Sequence, residues 1–333
     1  MADDFRALRV HKLDKGTEAR FETLTLADLD PGEVVVRVAY SCINYKDALA
    51  VTGKGRILRA FPKVAGIDLS GTVEFSTVPA YGKGDKVLVT GCNLGEALDG
   101  GFTEIARVPA SAVVPLPAGM SLREAMALGT AGFTAALGVR RMLENHQTPD
   151  KGTIVVTGPT GGVGSVAISI LKHLGFKVAA LTGKADRQAD YLKALGADEV
   201  IDRKALEMGA RPLERTQWGG AVDNLGGNTL AWLTRTVEQW GTIASIGLAQ
   251  DFKLDTTVMP FILRGVSLLG INSVDVPREW REAVWDRLGG PWKPARLDLI
   301  APRTITLDEL PAACEALVAG GQHGRTVVRI CGD

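Results

Sequence analysis

Val155-Val156-Thr157-Gly158-Pro159-Thr160-Gly161-Gly162-Val163-Gly164-Ser165-Val166-Ala167 governs how the middle of this chain is read. Thr153–Thr157 has the apolar, β-branched look of a buried strand, and Gly164–Leu174 has helical spacing. Between them Gly162, Gly164 and Ala167 satisfy G-x-G-x-x-A, in the strand–turn–helix setting that gives such a string weight. Glycine permits the tight turn and lets the backbone approach a pyrophosphate, whose charge then meets a helix N-terminus. The bland reading is a glycine-rich connection with no ligand. The next strand, Lys177–Leu181, favours the nucleotide.

Strand and helix keep alternating beyond the turn. Arg187–Leu195 reads as a helix stopped by Gly196, then Glu199–Ile201 as a strand. Ala221–Asn224 and Gly241–Ile246 follow as strands, with a helix at Asn228–Gln239 between them. This is the pattern of a doubly wound parallel sheet. The apolar run Phe261–Ile271 fits either an internal strand or an edge strand pairing across a dimer, and periodicity does not separate the two. The second strand ends Leu181-Thr182-Gly183-Lys184, without the Asp or Glu that holds the ribose 2′-hydroxyl of NAD. Thr182 and Lys184 can donate to a 2′-phosphate, and Arg203 is a second cationic partner, so this tip points to NADPH. Asp186 lies nearby and argues the other way, and Lys184 and Arg203 have the bland reading of solvated surface charges.

The flanks differ in character. Glu33–Tyr40, Ile67–Phe75, Val87–Thr90 and Phe102–Val108 are short strand-like runs punctuated by glycine turns, which suggests a barrel-like β unit. Ser121 to Leu143 has helical spacing, with Ser121 and Glu124 placed as a capping box. Arg303–Leu307 and Arg325–Ile330 read as strands around a helix at Asp308–Val318. The fold class is therefore α/β: a β-rich domain from both chain ends with a parallel-sheet domain inserted. With 38 Lys+Arg against 38 Asp+Glu in 333 residues, the basic excess of a nucleic-acid binder is absent. No apolar stretch reaches the ~18 residues of a membrane span, and the acidic N-terminus lacks a secretory pattern. Cys42, Cys92, Cys314 and Cys331 are scattered, as are the four histidines, which fits a reduced compartment and leaves no zinc-ligand cluster.

These features, with Gly84-Asp85-Lys86-Val87 and Val222-Asp223-Asn224-Leu225-Gly226-Gly227, resemble the medium-chain dehydrogenase/reductases over nearly the whole chain. Zinc-dependent members carry Gly-His-Glu where this chain has Gly66-Ile67-Asp68, and their first zinc cysteine falls at Asn44. The chain thus looks like the zinc-free quinone-reductase branch, with no metal expected. Asn44-Tyr45-Lys46-Asp47-Ala48-Leu49, Thr52-Gly53-Lys54-Gly55, Gly129-Thr130-Ala131-Gly132-Phe133-Thr134-Ala135 and Pro260-Phe261-Ile262-Leu263-Arg264-Gly265 look more narrowly like its acryloyl-CoA reductase (AcuI/YhdH) subfamily. The resemblance implies a GroES-like domain at 1–125 and 290–333 around a Rossmann domain at 126–289. It also implies NADPH-dependent, zinc-independent reduction of acryloyl-CoA to propanoyl-CoA by a cytoplasmic homodimer. The implied cofactor contacts are Tyr45, Thr160, Gly161, Gly162, Val163, Thr182, Gly183, Lys184, Arg203, Leu248, Ile262 and Ser273.

Hydride addition to the β-carbon of an unsaturated thioester builds negative charge on the thioester oxygen, which asks for a donor there. Asn44 can orient the substrate or donate to that oxygen. Tyr45 can pack on the cofactor or supply the α-carbon proton, alone or through water. Asp68 has a structural reading, as an acceptor for backbone donors in its turn. Lys54, Arg56 and Arg59 are candidate partners for the phosphates of CoA, against the plainer reading of a solvated basic loop. The alternatives are an NADPH-dependent quinone or enone oxidoreductase on the same scaffold, a nucleotide-sensing or RNA-binding protein without turnover, and a zinc alcohol dehydrogenase.

Overall fold

The computed structural model of the chain describes residues 4–320 and 322–332. It is an α/β protein made of two compact units. One holds the described residues up to Thr130, Val274–Gly290 and those from Ala301 onward; the other holds Ala131–Ser273 and Pro291–Ile300.

The second unit is built on six parallel strands. Their order is Glu199–Asp202, Val178–Thr182, Ile154–Thr157, Trp218–Asp223, Val237–Ser245, Ser267–Gly270. The chain enters at the central strand Ile154–Thr157, runs outward to Glu199–Asp202, then returns to the other side with Trp218–Asp223. The switch between these directions lies next to the glycine turn, where open parallel sheets bind ligands. Val155, Ala179, Leu181, Ala221 and Ile243 are fully buried beneath the covering helices. There the Trp218 and Trp232 rings meet edge to face, centroids 6.1 Å apart.

In the first unit, Val34–Cys42 is the hub. It pairs antiparallel with Asp68–Ser76, Ile105–Val108 and Thr326–Arg329. Lys86–Thr90 and Val114–Pro115 extend the sheet on one side, and Arg303–Thr306 on the other. Val34, Val36, Val38, Leu69, Val87 and Val89 form its core, the alternation expected of strands buried on one face.

The structure departs from the sequence expectations in four places. The helix expected at Asn228–Gln239 is Gly227–Thr236, because Val237 already pairs with Trp218 as the start of a strand. Phe261–Ile271 is not one strand. Helix Met259–Arg264 stops at Gly265, which takes a left-handed conformation (φ 62°), and Ser267–Gly270 then forms the last strand of the sheet. Val274–Gly290, expected with the parallel sheet, belongs to the β-rich unit. Its buried Arg281 donates to the carbonyls of Thr90 (2.8 Å) and Val274 (3.0 Å). Pro291–Ile300, expected with the β-rich domain, joins the parallel-sheet unit, where Leu297–Ile300 packs on helix Gly162–His173.

Candidate functional site

Of the residues proposed for the cofactor, those at 160–163, 182–184, 203, 248 and 273 lie along one edge of the parallel sheet, whereas Tyr45 lies in the β-rich unit and Ile262 on helix Met259–Arg264. Thr160 follows Thr157, Thr182 is itself a strand end, and Arg203 follows Asp202. Leu248 lies beyond Ser245, and Ser273 beyond Gly270. All five are at or past carboxyl ends, where the amide groups of the following helices face outward. Gly161 is exposed and precedes helix Gly162–His173, so the N–H groups of Gly162 and Val163 open that helix without an intrahelical partner. Gly164 does a different job. A Cβ there would come within 2.5 Å of the Gly158 carbonyl oxygen and 2.6 Å of Pro159 Cα, so this glycine packs the helix against its own turn. At the second tip the Thr182 hydroxyl accepts the Lys184 N–H at 3.1 Å. No carboxylate lies between Thr182 and Lys184, and Asp186 is exposed, 3.5 Å from Arg187. Leu248 and Ile262 are apolar yet 67% and 72% exposed. The edge offers the N–H groups of a helix start, the cations Lys184 and Arg203 and the exposed apolar Leu248.

A second set of candidate residues is a buried polar cluster within the β-rich unit. Asp68 is fully buried, and its carboxylate accepts four bonds. They come from the Thr130 N–H (2.8 Å), the Thr130 hydroxyl (2.5 Å), Asn44 Nδ2 (2.8 Å) and the Cys42 thiol (3.2 Å). Thr130 belongs to helix Leu122–Glu144, whose interior N–H groups are normally taken. The helix is broken at Gly129 (φ 52°, ψ −157°), which frees the Thr130 N–H to turn to Asp68. Arg325 arrives from the other end of the chain. Its Nη2 lies 2.9 Å from Cys42 Sγ and its Nη1 donates to Asn44 Oδ1 at 3.2 Å. Asp47, also buried, accepts the N–H groups of Asn44 (2.8 Å) and Ile67 (2.9 Å) and Asn44 Nδ2 (3.1 Å).

This geometry redefines Asn44. One of its amide hydrogens goes to Asp68, the other to Asp47, and its oxygen is held by Arg325. An amide has only two N–H groups to give, so Asn44 is a strut and has no donor left for a substrate oxygen. Tyr45, the next residue, opens helix Tyr45–Thr52 and is 57% exposed. Burial and the neighbouring charge of Asp68 push the Asp47 carboxyl up to about 7. Burial, then Asp68, also pushes the Cys42 thiol well above its ordinary value, which keeps it protonated as a donor. Asp47, Asp68, Cys42 and Arg325 were absent from the site expected from sequence, apart from the structural role considered for Asp68. The basic segment is only partly free: Lys54 is tied to Glu315 (2.6 Å) and Arg59 lies 3.7 Å from Glu96. Arg56 has no ion-pair partner among the described residues.

A catalytic zinc does not fit these residues. The carboxylate of Asp68 is saturated by hydrogen bonds, Cys42 is a protonated donor, and the Arg325 cation already sits against its sulfur. A second cation there would meet repulsion and one neutral thiol where it needs several anionic or imidazole ligands. Among the described residues no group of three or more His, Cys, Asp or Glu is placed to hold a metal ion.

Two predictions follow from the cluster. At Gly129 a Cβ would lie 2.5 Å from Arg325 Nη2, 2.7 Å from Asp68 Oδ2 and 2.7 Å from Cys42 Sγ. Gly129→Ala should lower stability by at least ~2 kcal/mol, read from urea unfolding midpoints. Asp47 has a folded-state pKa above its unfolded one, so its contribution is fully present below the unfolded pKa and is lost as pH rises through about 7. The stability of the wild type relative to Asp47→Asn should therefore fall from pH 4 to pH 8. A difference that stays flat across that range contradicts the assignment.

Comparison with known proteins completes the picture. Residues 30–118 match the alcohol dehydrogenase GroES-like domain, and residues 162–289 match the zinc-binding dehydrogenase domain. The chain is 45% identical over 331 residues to the putative quinone oxidoreductase YhfP of Bacillus subtilis, covering 99% of this chain and 100% of that one. It is 44% identical over 329 residues to the acrylyl-CoA reductase AcuI of Ruegeria pomeroyi, covering 98% and 99%. Among solved structures, the yhdH oxidoreductase of Salmonella enterica in complex with NADP matches with a TM-score of 0.94 at 43% identity, over 98% of this chain and 99% of that one. Bacillus subtilis yhfP with NAD bound matches with a TM-score of 0.95 at 45% identity, again over 98% and 99%. No helix among the described residues is long and apolar enough to cross a membrane. The chain belongs to the medium-chain dehydrogenase/reductase family, within the subfamily that holds the AcuI, YhdH and YhfP proteins.

Proposed function

We propose that this chain reduces the carbon–carbon double bond of acryloyl-CoA to give propanoyl-CoA, using NADPH and no zinc. The 44% identity to an acrylyl-CoA reductase over 98% of the chain carries this reading. The acid-free tip Thr182–Lys184 supports the choice of NADPH over NADH, as does the relative solved with NADP.

Bound NADPH supplies a hydride to the β-carbon of the thioester. The backbone at Thr160, Gly161, Gly162 and Val163 would hold its pyrophosphate. Thr182, Gly183, Lys184 and Arg203 would take the 2′-phosphate, with Tyr45, Leu248, Ile262 and Ser273 as the remaining candidate contacts. As charge develops on the thioester oxygen and the α-carbon takes up a proton, a donor is required. Asn44 is committed to its carboxylates, so the donor is Tyr45, whose hydroxyl has no partner among the described residues. Asn44 acts through Tyr45: it caps the helix that Tyr45 begins, and locking the cap fixes where the phenol leaves the backbone. For the CoA phosphates the unpaired Arg56 is the better candidate, since Lys54 and Arg59 are engaged by carboxylates.

A quinone oxidoreductase is the second reading, favoured by the name of the 45%-identical YhfP. Loss of nicotinamide absorbance with acryloyl-CoA, crotonyl-CoA and a quinone, each with NADPH and NADH, separates them. Fast oxidation of NADPH by acryloyl-CoA is expected; turnover of the quinone alone would overturn the substrate. Tyr45→Phe should lower kcat by ~100-fold, the lower end of the range for a positioned general acid, while NADPH affinity is kept. Unchanged turnover removes Tyr45 from the chemistry.

A further inference from the structure

The strands Val178–Thr182 and Glu199–Asp202 run parallel, with Thr182 opposite Asp202, so the segments past these two tips lie side by side. After Asp202 the chain makes one tight turn, Arg203–Ala205. The Asp202 carboxylate caps it by accepting the Lys204 N–H at 3.0 Å. That turn carries two side chains back over Gly183. A Cβ placed on Gly183 would stand 3.6 Å from Lys204 Cε and 3.8 Å from Arg203 Nη2. Neither cation is paired with a carboxylate among the described residues. Asp202 has one oxygen on the backbone, and Asp186 leans 3.5 Å from Arg187. Two cations converging on one glycine repel each other, and a shared anion turns that repulsion into attraction. Gly183 itself presents no side chain between them.

We propose that Lys204 is a further anchor of the cofactor's 2′-phosphate, closing the site from the neighbouring strand and setting the preference for NADPH over NADH. The inference rests on the NADPH reading above and names a residue that the strand-tip pattern did not reveal. Arg203 presents a planar fork and Lys204 a point charge on a flexible stem. Together they bring two positive charges to a group that carries close to two negative ones.

Calorimetric titration with 2′,5′-ADP and with 5′-AMP tests this without turnover, in wild type, Lys204→Ala, Lys204→Gln and Arg203→Ala. Lys204→Ala and Lys204→Gln should each weaken 2′,5′-ADP about ten-fold, the size of one charge-assisted contact, and leave 5′-AMP unchanged. The KM for NADPH should rise by the same factor and that for NADH should hold. Lys204 is exposed, so unfolding midpoints should match the wild type. Unchanged 2′,5′-ADP affinity in both Lys204 variants, with weakening in Arg203→Ala, overturns the role of Lys204 and keeps the NADPH reading. A wild type that binds 2′,5′-ADP no better than 5′-AMP overturns both.

Discussion

A carboxylate removed from water has to be surrounded by donors, and Asp68 imposes that requirement on its whole neighbourhood. Its four donors come from two stretches far apart in sequence, Cys42 with Asn44 and the helix residue Thr130, which gives both its N–H and its hydroxyl; the guanidinium of Arg325, from a third stretch, holds Cys42 and Asn44 in turn. Each donor is bought by a local irregularity. The helix is opened at Gly129, the strand Val34–Cys42 ends at Cys42 so that Asn44 can begin a helix, and Thr326–Arg329 returns to pair with that same strand. With Asp47 protonated the cluster balances one carboxylate against one guanidinium; with Asp47 ionised it carries an excess negative charge. That excess, together with burial, keeps the Asp47 carboxyl reluctant to ionise.

The parallel sheet was legible because its information is local. A strand, a glycine turn and a helix fall within twenty residues, and the acid missing from the second tip is read directly from Thr182–Lys184. The strings Asn44–Leu49 and Gly129–Ala135 were equally visible, but only as a resemblance. Their physical reason, two segments meeting on one buried carboxylate, needs a contact between residues 68 and 130. Asp47 and Arg325 were invisible for the same reason: Arg325 meets Asn44 across 281 positions, and nothing in the residues around it marks it as anything but one more surface cation. Asn44 was seen as a donor because composition shows the amide and hides what already occupies it.

The unit boundaries show the same limit. Helical spacing through Ser121–Leu143 gives no hint that one helix is divided at Gly129, and a helix such as Arg278–Gly289 can cover either unit. Its allegiance depends on where the buried Arg281 finds carbonyls, at Thr90 and Val274. Lys204 is a comparable case. It follows Arg203 in sequence, yet its nearness to Gly183 comes from the parallel pairing of two strands and the capped turn beyond them.

Arg325 has a meaning for synthesis as well as for chemistry. A ribosome releases the chain from its N-terminus, so Asp68 and Asn44 emerge some 250 residues before the cation and the strand Thr326–Arg329 that complete their surroundings. Through most of translation the nascent β-rich unit holds an open sheet edge and a carboxylate still in need of cover, while the parallel-sheet unit can already form behind it. Without Arg325 and Thr326–Arg329 the β-rich unit keeps an open sheet edge and an uncovered carboxylate, while the six strands of the parallel-sheet unit are all present. Arrival of Thr326–Arg329 is thus the step that closes the surroundings of Asp68.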